Sequence, residues 1–277
     1  MDSKSVTIVQ LKLRELGHYN GKIDGDRGPK THAAVVKGIP DLQITPPTGW
    51  RGFSDKRKTI VFLQMYCLSE GIDAGPLDGW WGPQTDFAAD ALAQKLDGGQ
   101  VINWRDIAPI DTNPHGFPKD NTAALTAFYG PPGKKDGSFR PPMVKVPCPW
   151  TLKIAWNMNQ TRSFLWAHEK CADSVATILE KVHAHYGEAA IEDLRLNIFS
   201  GDYAPRLKKG GTTPSTHSWA IAYDFDDTNN QLKWNSAQAT FARSEYNDWW
   251  EIWESEGWLS LGRTRNFDWM HVQAAKL

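Results

Sequence analysis

The strongest constraint on the fold is an internal repeat near the start of the chain. Residues around Asp24 recur in the same order and without gaps 54 residues later, around Asp78. The recurring residues are Gln10, Gly17, Gly21, Asp24, Gly25, Gly28, Pro29, Thr31 and Ala34, and then Gln64, Gly71, Gly75, Asp78, Gly79, Gly82, Pro83, Thr85 and Ala88. Self-similarity at a fixed period is typical of a duplicated supersecondary unit. The sequence therefore predicts two copies of one small unit, at residues 1–42 and 55–98.

Each copy is predicted to be helical. Apolar residues recur near the 3.6-residue period of an amphipathic helix at Val6, Val9, Leu13 and Leu16. A glycine then ends the helix, a turn rich in Gly and Asp follows, and Pro-x-Thr opens the next helix. Asp24 and Asp78 lie in these turns, where an aspartate commonly accepts hydrogen bonds from nearby backbone amides. We therefore expect both aspartates to be structural.

Two polar clusters near the C-terminus contain the candidate catalytic residues. His217 precedes a segment with strand-like alternation that contains Asp224, and Asp268 and His271 lie in a second such segment. Two imidazoles and a carboxylate are a suitable donor set for a catalytic zinc that keeps one position open for water. We predict His217, Asp224 and His271 as the ligands of one Zn²⁺ per chain. Asp268 would be the base that accepts a proton from the water.

The spacing of the first two ligands constrains the local structure. Seven residues separate His217 from Asp224, so their side chains would point to opposite faces of a flat strand. We therefore expect His217 to lie on a loop or bend before a strand that runs from Ala220 to Phe225. Asp226 shares strand parity with Asp224 and is the best substitute ligand.

The pattern Ser-x-His-x-x-Gly-x-Ala-x-Asp, followed far downstream by Asp-x-x-His, resembles a known family. It is similar to the zinc peptidases that include D-Ala-D-Ala carboxypeptidases, D-Ala-D-Ala dipeptidases and phage L-alanyl-D-glutamate endopeptidases. The matching residues are Ser215, His217, Ala222, Asp224, Asp268 and His271. Ala220 stands where the family usually has Gly, and we expect its methyl group to tighten the pocket or shift the His217 loop.

The resemblance extends upstream and implies further site residues. The segment Ser200–Arg206, with Gly210 and Gly211, is similar to the family segment whose arginine faces the substrate. Arg206 is thereby implied to bind a substrate carbonyl or carboxylate, or to steady the tetrahedral oxyanion, and Ser215 is implied to contact the substrate. The similarity covers residues 121–277. Because strands and helices intermix there without a regular βαβ rhythm, we expect an α+β catalytic domain.

The repeats resemble the small all-α, three-helix peptidoglycan-binding repeats found beside cell-wall hydrolases. The resemblance rests on Gly-Lys-Ile-Asp-Gly-Asp-Arg-Gly-Pro-Lys-Thr from Gly21 and on Gly-Pro-Leu-Asp-Gly-Trp-Trp-Gly-Pro-Gln-Thr from Gly75. It implies bacterial peptidoglycan as the partner. The divergent position, Arg27 against Trp81, is expected to contribute to the binding surface with help from Trp80, so the second copy should bind more strongly.

The composition of the chain limits the classes of binding partner that we expect. Basic and acidic residues nearly balance, giving a formal net charge of -1, so we expect neither nucleic acid nor an anionic membrane as a partner. No run of apolar residues is long enough to insert in a membrane, and we find no signal peptide. The three cysteines lack metal-type spacing. We expect a monomer that is made in the host cytoplasm and acts on the cell wall after release.

Together these features predict a modular cell-wall hydrolase similar to phage endolysins. Residues 99–120 would be a linker and residues 121–277 the zinc peptidase domain. The predicted reaction is cleavage of a peptide bond in the stem or cross-link, either L-alanyl-D-glutamate or a D-Ala-containing bond. Two alternatives stay open: a non-catalytic wall-binding protein, and a glycan-cleaving hydrolase that uses paired carboxylates. The candidate pairs are Asp226 with Asp227 and Glu251 with Glu254, although we expect the two glutamates to form a solvated helix face.

Overall fold

A computed structural model describes residues 1–101, 104–105 and 108–277 of the chain. Within these residues the protein has a mixed α and β fold, with eight α-helices and a six-stranded mixed sheet. The chain divides into two compact units, Met1–Trp104 and Arg105–Leu277. In the described part of the chain, no helix combines the length and the apolar character that spanning a bilayer requires.

The first unit is all-helical. Its helices are α1 (Ser3–Glu15), α2 (Pro29–Gly38), α3 (Asp55–Ser69) and α4 (Pro83–Leu96). The side chain of Asp2 caps α1, and Pro29 and Pro83 begin α2 and α4, as the sequence predicts. Each copy therefore contributes two α-helices in the described residues, not the three that the resemblance implies. The first copy adds only a short 3₁₀ turn, Ile39–Leu42.

The two copies share one hydrophobic core. Helix α3 is buried continuously from Thr59 to Cys67, because helices of both copies pack around it. The segment between the copies also contributes to this core, since Trp50 is buried in it. A helix surrounded in this way cannot be amphipathic, which explains why the second copy lacks the polar face expected from the first.

A buried glutamine organises each copy. Gln10 Nε2 donates to Asp24 Oδ1 at 2.9 Å, and Gln10 Oε1 accepts from the amide of Gly25 at 3.0 Å. Asp24 Oδ1 also accepts from the amide of Asp26 at 3.0 Å, which confirms that this aspartate closes the turn. Gly25 has a φ of +73°, and a Cβ there would lie 2.0 Å from the hydroxyl oxygen of Ser3. Only glycine fits this position.

The same network recurs in the second copy. Gln64 Nε2 donates to Asp78 Oδ1 at 3.2 Å and to Thr85 Oγ1 at 3.1 Å. Gln64 Oε1 accepts from the amide of Gly79 at 2.9 Å, and Asp78 Oδ1 accepts from the amide of Trp80 at 2.8 Å. The recurrence of Gln, Asp, Gly and Thr at one offset therefore reflects one hydrogen-bonded network used twice.

The second unit combines helices with the sheet. Its elements are α5 (Thr122–Tyr129), β1 (Met143–Ile154), β2 (Asn157–His168), α6 (Ala172–Asp193), β3 (Ile198–Gly201), β4 (Ala222–Phe225), α7 (Asn247–Ser255), β5 (Leu259–Ser260), α8 (Leu261–Arg265) and β6 (His271–Gln273). The strand order is β2-β1-β3-β4-β6-β5, and β1 with β3 is the parallel pair. Helix α6 is interrupted at Gly187, where the sequence predicts a stop.

Aromatic side chains fill the core of the second unit. From β4, the ring of Tyr223 stacks on Trp258 with a centroid distance of 5.3 Å, and Phe225 meets the edge of Trp249 at 5.2 Å. In the sequence, Trp249, Trp250 and Trp253 form a stripe at i, i+1 and i+4 that predicts core residues, and the burial of all three in α7 confirms this. Side chains alternate between the faces of a strand, so Asp224 points to the side of β4 opposite this core.

Residues 110–120, predicted as part of the linker, pack on the second unit. The amide of Ile110 donates to Glu254 Oε2 at 2.9 Å, and the ring of Phe117 meets the edge of Trp258 at 6.0 Å. The carboxylate of Asp120 accepts from Lys208 Nζ at 2.8 Å. These contacts explain why the boundary between the units lies at Trp104, inside the predicted linker.

Replacing Gln64 with leucine tests the repeated network. Leucine has a similar volume but leaves the Gly79 amide without its acceptor, and an unsatisfied buried polar group costs roughly 1–3 kcal/mol. We expect Gln64→Leu to lower the unfolding free energy of the first unit by at least about 2 kcal/mol. Native-state hydrogen exchange of the α3 amides in the full chain measures this change.

Gln94→Leu is the control, because Gln94 is an exposed glutamine of α4. Surface replacements of this kind usually change stability by less than about 0.5 kcal/mol. Equal exchange free energies for the two variants would contradict a stabilising role for the Gln64 network.

Candidate metal centre

His217 lies on a 3₁₀ turn, Thr216–Trp219, that leads into β4. The turn ends at Ala220, which has left-handed backbone dihedral angles (φ 57°, ψ 43°), and the strand begins at Ala222. The prediction of a bend before the strand is therefore confirmed, although the strand begins two residues later than predicted. The bend brings His217 and Asp224 together despite their odd spacing.

Ala220 occupies a backbone conformation that favours glycine. A left-handed residue with a Cβ is disfavoured by roughly 1–2 kcal/mol. This accounts physically for the glycine that the related motif has at this position. The Ala220 side chain is fully buried, so its methyl group packs in the interior.

Strand pairing brings the other two predicted ligands together. Strands β4 and β6 are antiparallel, and Asp224 is the direct partner of His271. Asp224 Oδ1 lies 2.9 Å from His271 Nδ1, and Asp224 Oδ2 lies 3.2 Å from His217 Nε2. The two ring nitrogens are 3.3 Å apart. All three side chains are buried, and their donor atoms converge on one point.

The separations of the donor atoms match those of a tetrahedral metal ion. Bonds of 2.0–2.1 Å at tetrahedral angles place neighbouring donors about 3.3 Å apart. The 3.3 Å between the two ring nitrogens and the 3.2 Å between His217 Nε2 and Asp224 Oδ2 agree with this, while the third separation, from His271 Nδ1 to Asp224 Oδ1, is shorter at 2.9 Å and involves the other carboxylate oxygen. His217, Asp224 and His271 can therefore hold a metal ion with little rearrangement.

A partner on the far side of each ring orients the two histidines. His217 Nδ1 lies 2.6 Å from the backbone carbonyl oxygen of Asp202, and His271 Nε2 lies 3.1 Å from Gln273 Oε1. The sequence analysis identified neither partner. Gln273 shares a strand face with His271, two residues away, so strand parity was an available signal. A backbone carbonyl gives no such signal.

The charges and hydrogen bonds within the cluster favour the binding of a cation. Burial alone would raise the pKa of Asp224, but the charge and hydrogen bond of His217, joined by those of His271, hold it far below its usual range. Burial lowers the pKa of His271, but hydrogen bonding to Asp224 and its charge outweigh this and raise the pKa to about 9. Asp224 is therefore a carboxylate at neutral pH, and metal binding would displace the proton from Nδ1 of His271.

Asp268 lies beside the three donors with one carboxylate oxygen unpaired. Its backbone has a left-handed conformation, fixed by a hydrogen bond from its amide to the carbonyl of Leu232 at 3.1 Å. Its side chain is buried, and Oδ1 makes no hydrogen bond within the described residues. Burial raises the pKa of Asp268 to about 6, against the opposing charge of His271. A buried, unpartnered carboxylate of this kind suits proton transfer.

The cluster opens into a cleft of about 620 Å³. Arg206 and Ser215, both predicted to contact substrate, line it together with Asp268 and two of the ligands, Asp224 and His271. Arg206 is exposed, and its carbonyl accepts from the Ser215 amide at 2.9 Å. The remaining lining comprises a basic rim, an apolar wall and three polar side chains, formed respectively by Lys208 and Lys209, by Leu232, Leu261, Phe267, Met270 and Leu277, and by Asp120, Thr216 and Gln273.

The alternative carboxylates are engaged elsewhere. Asp226, the predicted substitute ligand, is almost fully buried and accepts from Arg195 Nε at 2.9 Å and Arg195 Nη2 at 2.6 Å. Glu254 was expected on a solvated face, but it is buried and paired with Arg263 at 3.1 Å. Each arginine occupies the oxygens that a metal ion or a catalytic proton would need.

The predicted binding residues of the first unit differ in exposure. Trp80 is 65% exposed, and the guanidinium of Arg57 lies 4.9 Å from its ring centre. Trp81 and Arg27 are half-buried. The ring of Trp81 packs on the core, and its Nε1 donates to Asp86 Oδ1 at 3.0 Å. Trp80 therefore offers the larger free aromatic surface.

Replacing the ligands tests the metal site. We expect His271→Ala and Asp224→Ala to reduce bound zinc from about one ion per chain to a trace, because two donors hold zinc poorly. Asp226→Asn is the control and should keep its metal, since Asp226 faces Arg195. Metal content after dialysis against zinc, measured by mass spectrometry, gives the result. Normal zinc content in His271→Ala would exclude this centre.

Comparison of the chain with protein-family models, with curated proteins and with solved structures gave no match. The functional conclusion therefore rests on the geometry of the buried His-Asp-His group, on the cleft beside it, and on the resemblance of the motifs.

Proposed function

We propose that this protein is a zinc-dependent peptidase that cleaves a peptide bond in the stem or cross-link of bacterial peptidoglycan. The observation that carries the proposal is the convergence of His217, Asp224 and His271 next to the unpaired carboxylate oxygen of Asp268. Asp224, His271 and Asp268 line a cleft of about 620 Å³, which would receive the peptide. The resemblance to endolysin-type peptidases supplies the substrate class.

The donor set favours zinc among the common metal ions. Imidazole suits zinc, whereas magnesium and calcium prefer sites made of oxygen atoms, and the tetrahedral spacing of the donors agrees with zinc coordination. A zinc ion held by His217, Asp224 and His271 would polarise the scissile carbonyl and lower the pKa of a water molecule from 15.7 toward ~7.

Asp268 would accept the proton from the attacking water and return it to the leaving amine. Its Oδ1 is free for this task because no described residue occupies it. The hydrogen bond from the Asp268 amide to Leu232, and the one from the His271 amide to the Asp268 carbonyl, hold its backbone in place. The base is therefore positioned by the same segment that carries a metal ligand.

Arg206 would bind the substrate or stabilise the developing oxyanion. Arg206 and Asp268 line the same cleft. Burial is the main influence on the pKa of Asp268 and raises it, while the positive charge of Arg206 is a small opposing influence. The apolar wall would contact aliphatic parts of the peptide. An exposed cation beside a buried base suits a substrate that carries carboxylates.

The first unit would hold the enzyme on the insoluble wall. The exposed ring of Trp80 can stack on a sugar, and the adjacent Arg57 adds a positive charge. Tethering raises the local concentration of the catalytic unit without changing its chemistry.

Asp268→Asn separates catalysis from metal binding. Asparagine keeps the shape of the side chain but cannot accept the proton, so turnover should fall by ~10²–10⁴-fold while zinc content stays near that of wild type. Turnover of purified muropeptides and metal content, measured on the same preparation, provide the test. Released amines rather than reducing sugars would identify the cleaved bond as a peptide bond.

Asp227→Asn is the matched control, since Asp227 is an exposed aspartate whose partner is Ser200. We expect it to retain wild-type turnover. If Asp268→Asn loses activity only through weaker zinc binding, and saturating zinc restores it, then Asp268 does not act as the base. Wild-type activity after complete removal of the metal would refute the zinc mechanism itself.

Removal of the first unit tests the tethering role. A fragment of residues 105–277 keeps the segment that packs on the catalytic unit, which a fragment beginning at Asn121 would lose. We expect it to cleave soluble muropeptides like the full chain but to bind intact sacculi more weakly by ~10²-fold or more. Sedimentation with sacculi measures the binding.

A single substitution localises the binding surface. Trp80→Ala in the full chain should weaken sacculus binding by about tenfold or more, since truncation of an aromatic anchor removes about 2 kcal/mol. Trp156→Ala is the control, because Trp156 is an equally exposed tryptophan of the second unit. Equal binding by both variants would remove Trp80 from the binding surface.

A further inference from the structure

A chain of hydrogen bonds leads from the metal ligand His271 to the rim of the cleft. His271 Nε2 lies 3.1 Å from Gln273 Oε1, and Gln273 Nε2 donates to Asp120 Oδ2 at 3.3 Å. Both carboxylate oxygens of Asp120 accept from Lys208 Nζ, at 2.8 and 2.9 Å. All four side chains line the cleft.

The acceptors around Gln273 fix the orientation of its amide. Its nitrogen faces the Asp120 carboxylate and the carbonyl oxygen of Ala275, both at 3.3 Å, and neither can donate a hydrogen bond. The amide oxygen must therefore face His271. Gln273 is buried, so these groups satisfy its amide in place of bulk water.

The amide orientation in turn fixes the hydrogen on His271. An amide oxygen only accepts, so His271 Nε2 must carry the hydrogen that it shares with Gln273. Nδ1 is thereby the ring nitrogen left for a metal ion, and it faces His217 and Asp224. Without Gln273, Nε2 would keep the hydroxyl oxygen of Thr216 at 3.5 Å, a longer contact that holds the ring less firmly in this orientation.

We infer that Gln273 and Asp120 are positioning residues that hold the His271 ring with its Nε2–H directed at Gln273 and its Nδ1 facing the other two metal ligands. The inference rests on the metal site of the proposed function. Lys208 completes the arrangement, because its ammonium group contacts the carboxylate of Asp120 at 2.8 Å and holds it in place. Residue 120, at the end of the predicted linker, is thereby part of the site.

Two substitutions and their conservative counterparts test the inference. Gln273→Leu removes the acceptor and should weaken zinc affinity by ~10–100-fold, as loss of a partner to a metal-bound histidine typically does. Asp120→Ala should weaken it in the same direction, because the amide of Gln273 is then free to turn. Asp120→Asn can still accept from Gln273 and should remain within a few-fold of wild type. Gln160→Leu, at an exposed glutamine of β2, is the matched control.

Zinc affinity is measured by competition with a chelator, together with the thermal midpoint of each zinc-loaded variant. The second readout is nuclear magnetic resonance of the zinc-loaded full chain labelled with ¹⁵N at histidine. We expect a slowly exchanging Nε2–H signal of His271 in wild type and Asp120→Asn, and its loss or rapid exchange in Gln273→Leu. A merely structural role would lower the midpoint and leave this signal and the zinc affinity unchanged.

The possible outcomes separate this inference from the proposed function. Unchanged zinc affinity and an unchanged Nε2–H signal in Gln273→Leu would overturn the inference, even if the enzyme proves to be a zinc peptidase. Gln273-dependent zinc binding in a protein that cleaves no peptidoglycan would uphold the inference and refute the proposed function. A wild-type chain that binds no zinc would refute both.

Discussion

Antiparallel pairing of β4 with β6 sets Asp224 opposite His271, and every other feature of the site depends on this register. A slip of one residue would turn all side chains of one strand to the other face and separate the two ligands. The aromatic core opposes such a slip, because Tyr223 and Phe225 would then leave their places against Trp258 and Trp249. Packing on one face of β4 therefore holds the chemistry on the other face.

In this protein, the partner of each buried carboxylate distinguishes the structural carboxylates from the functional ones. Asp226 and Glu254 are as deeply buried as the site residues, but each is paired with an arginine that satisfies its charge. Asp224 is paired with two imidazoles, which are themselves candidate metal ligands. Asp268 keeps one oxygen without any described partner. Burial alone would not have separated these four residues, whereas the identity of their partners does.

Residue type and local spacing were sufficient to predict the three ligands, the repeat and the aromatic core of α7. They failed where the deciding contacts are distant in sequence or involve the backbone. The carbonyl of Asp202 that orients His217 has no sequence signature. Residues 110–120 lack apolar periodicity because a few separate contacts, such as that of Phe117 with Trp258, hold them on the second unit. The shared core of the two repeats was likewise hidden, since helix α3 of one copy is enclosed by helices of both.

The burial of α3 has a consequence for how such a duplication can change over generations. Two domains joined by a linker can be lost, exchanged or multiplied one at a time, whereas these two copies cannot, because deletion of either exposes the apolar surface of the other. The pair is therefore inherited as a single module. Its two Gly-Asp turns are held at a fixed separation, so a repetitive ligand that matches this spacing can contact both without the entropic penalty of ordering a flexible connector.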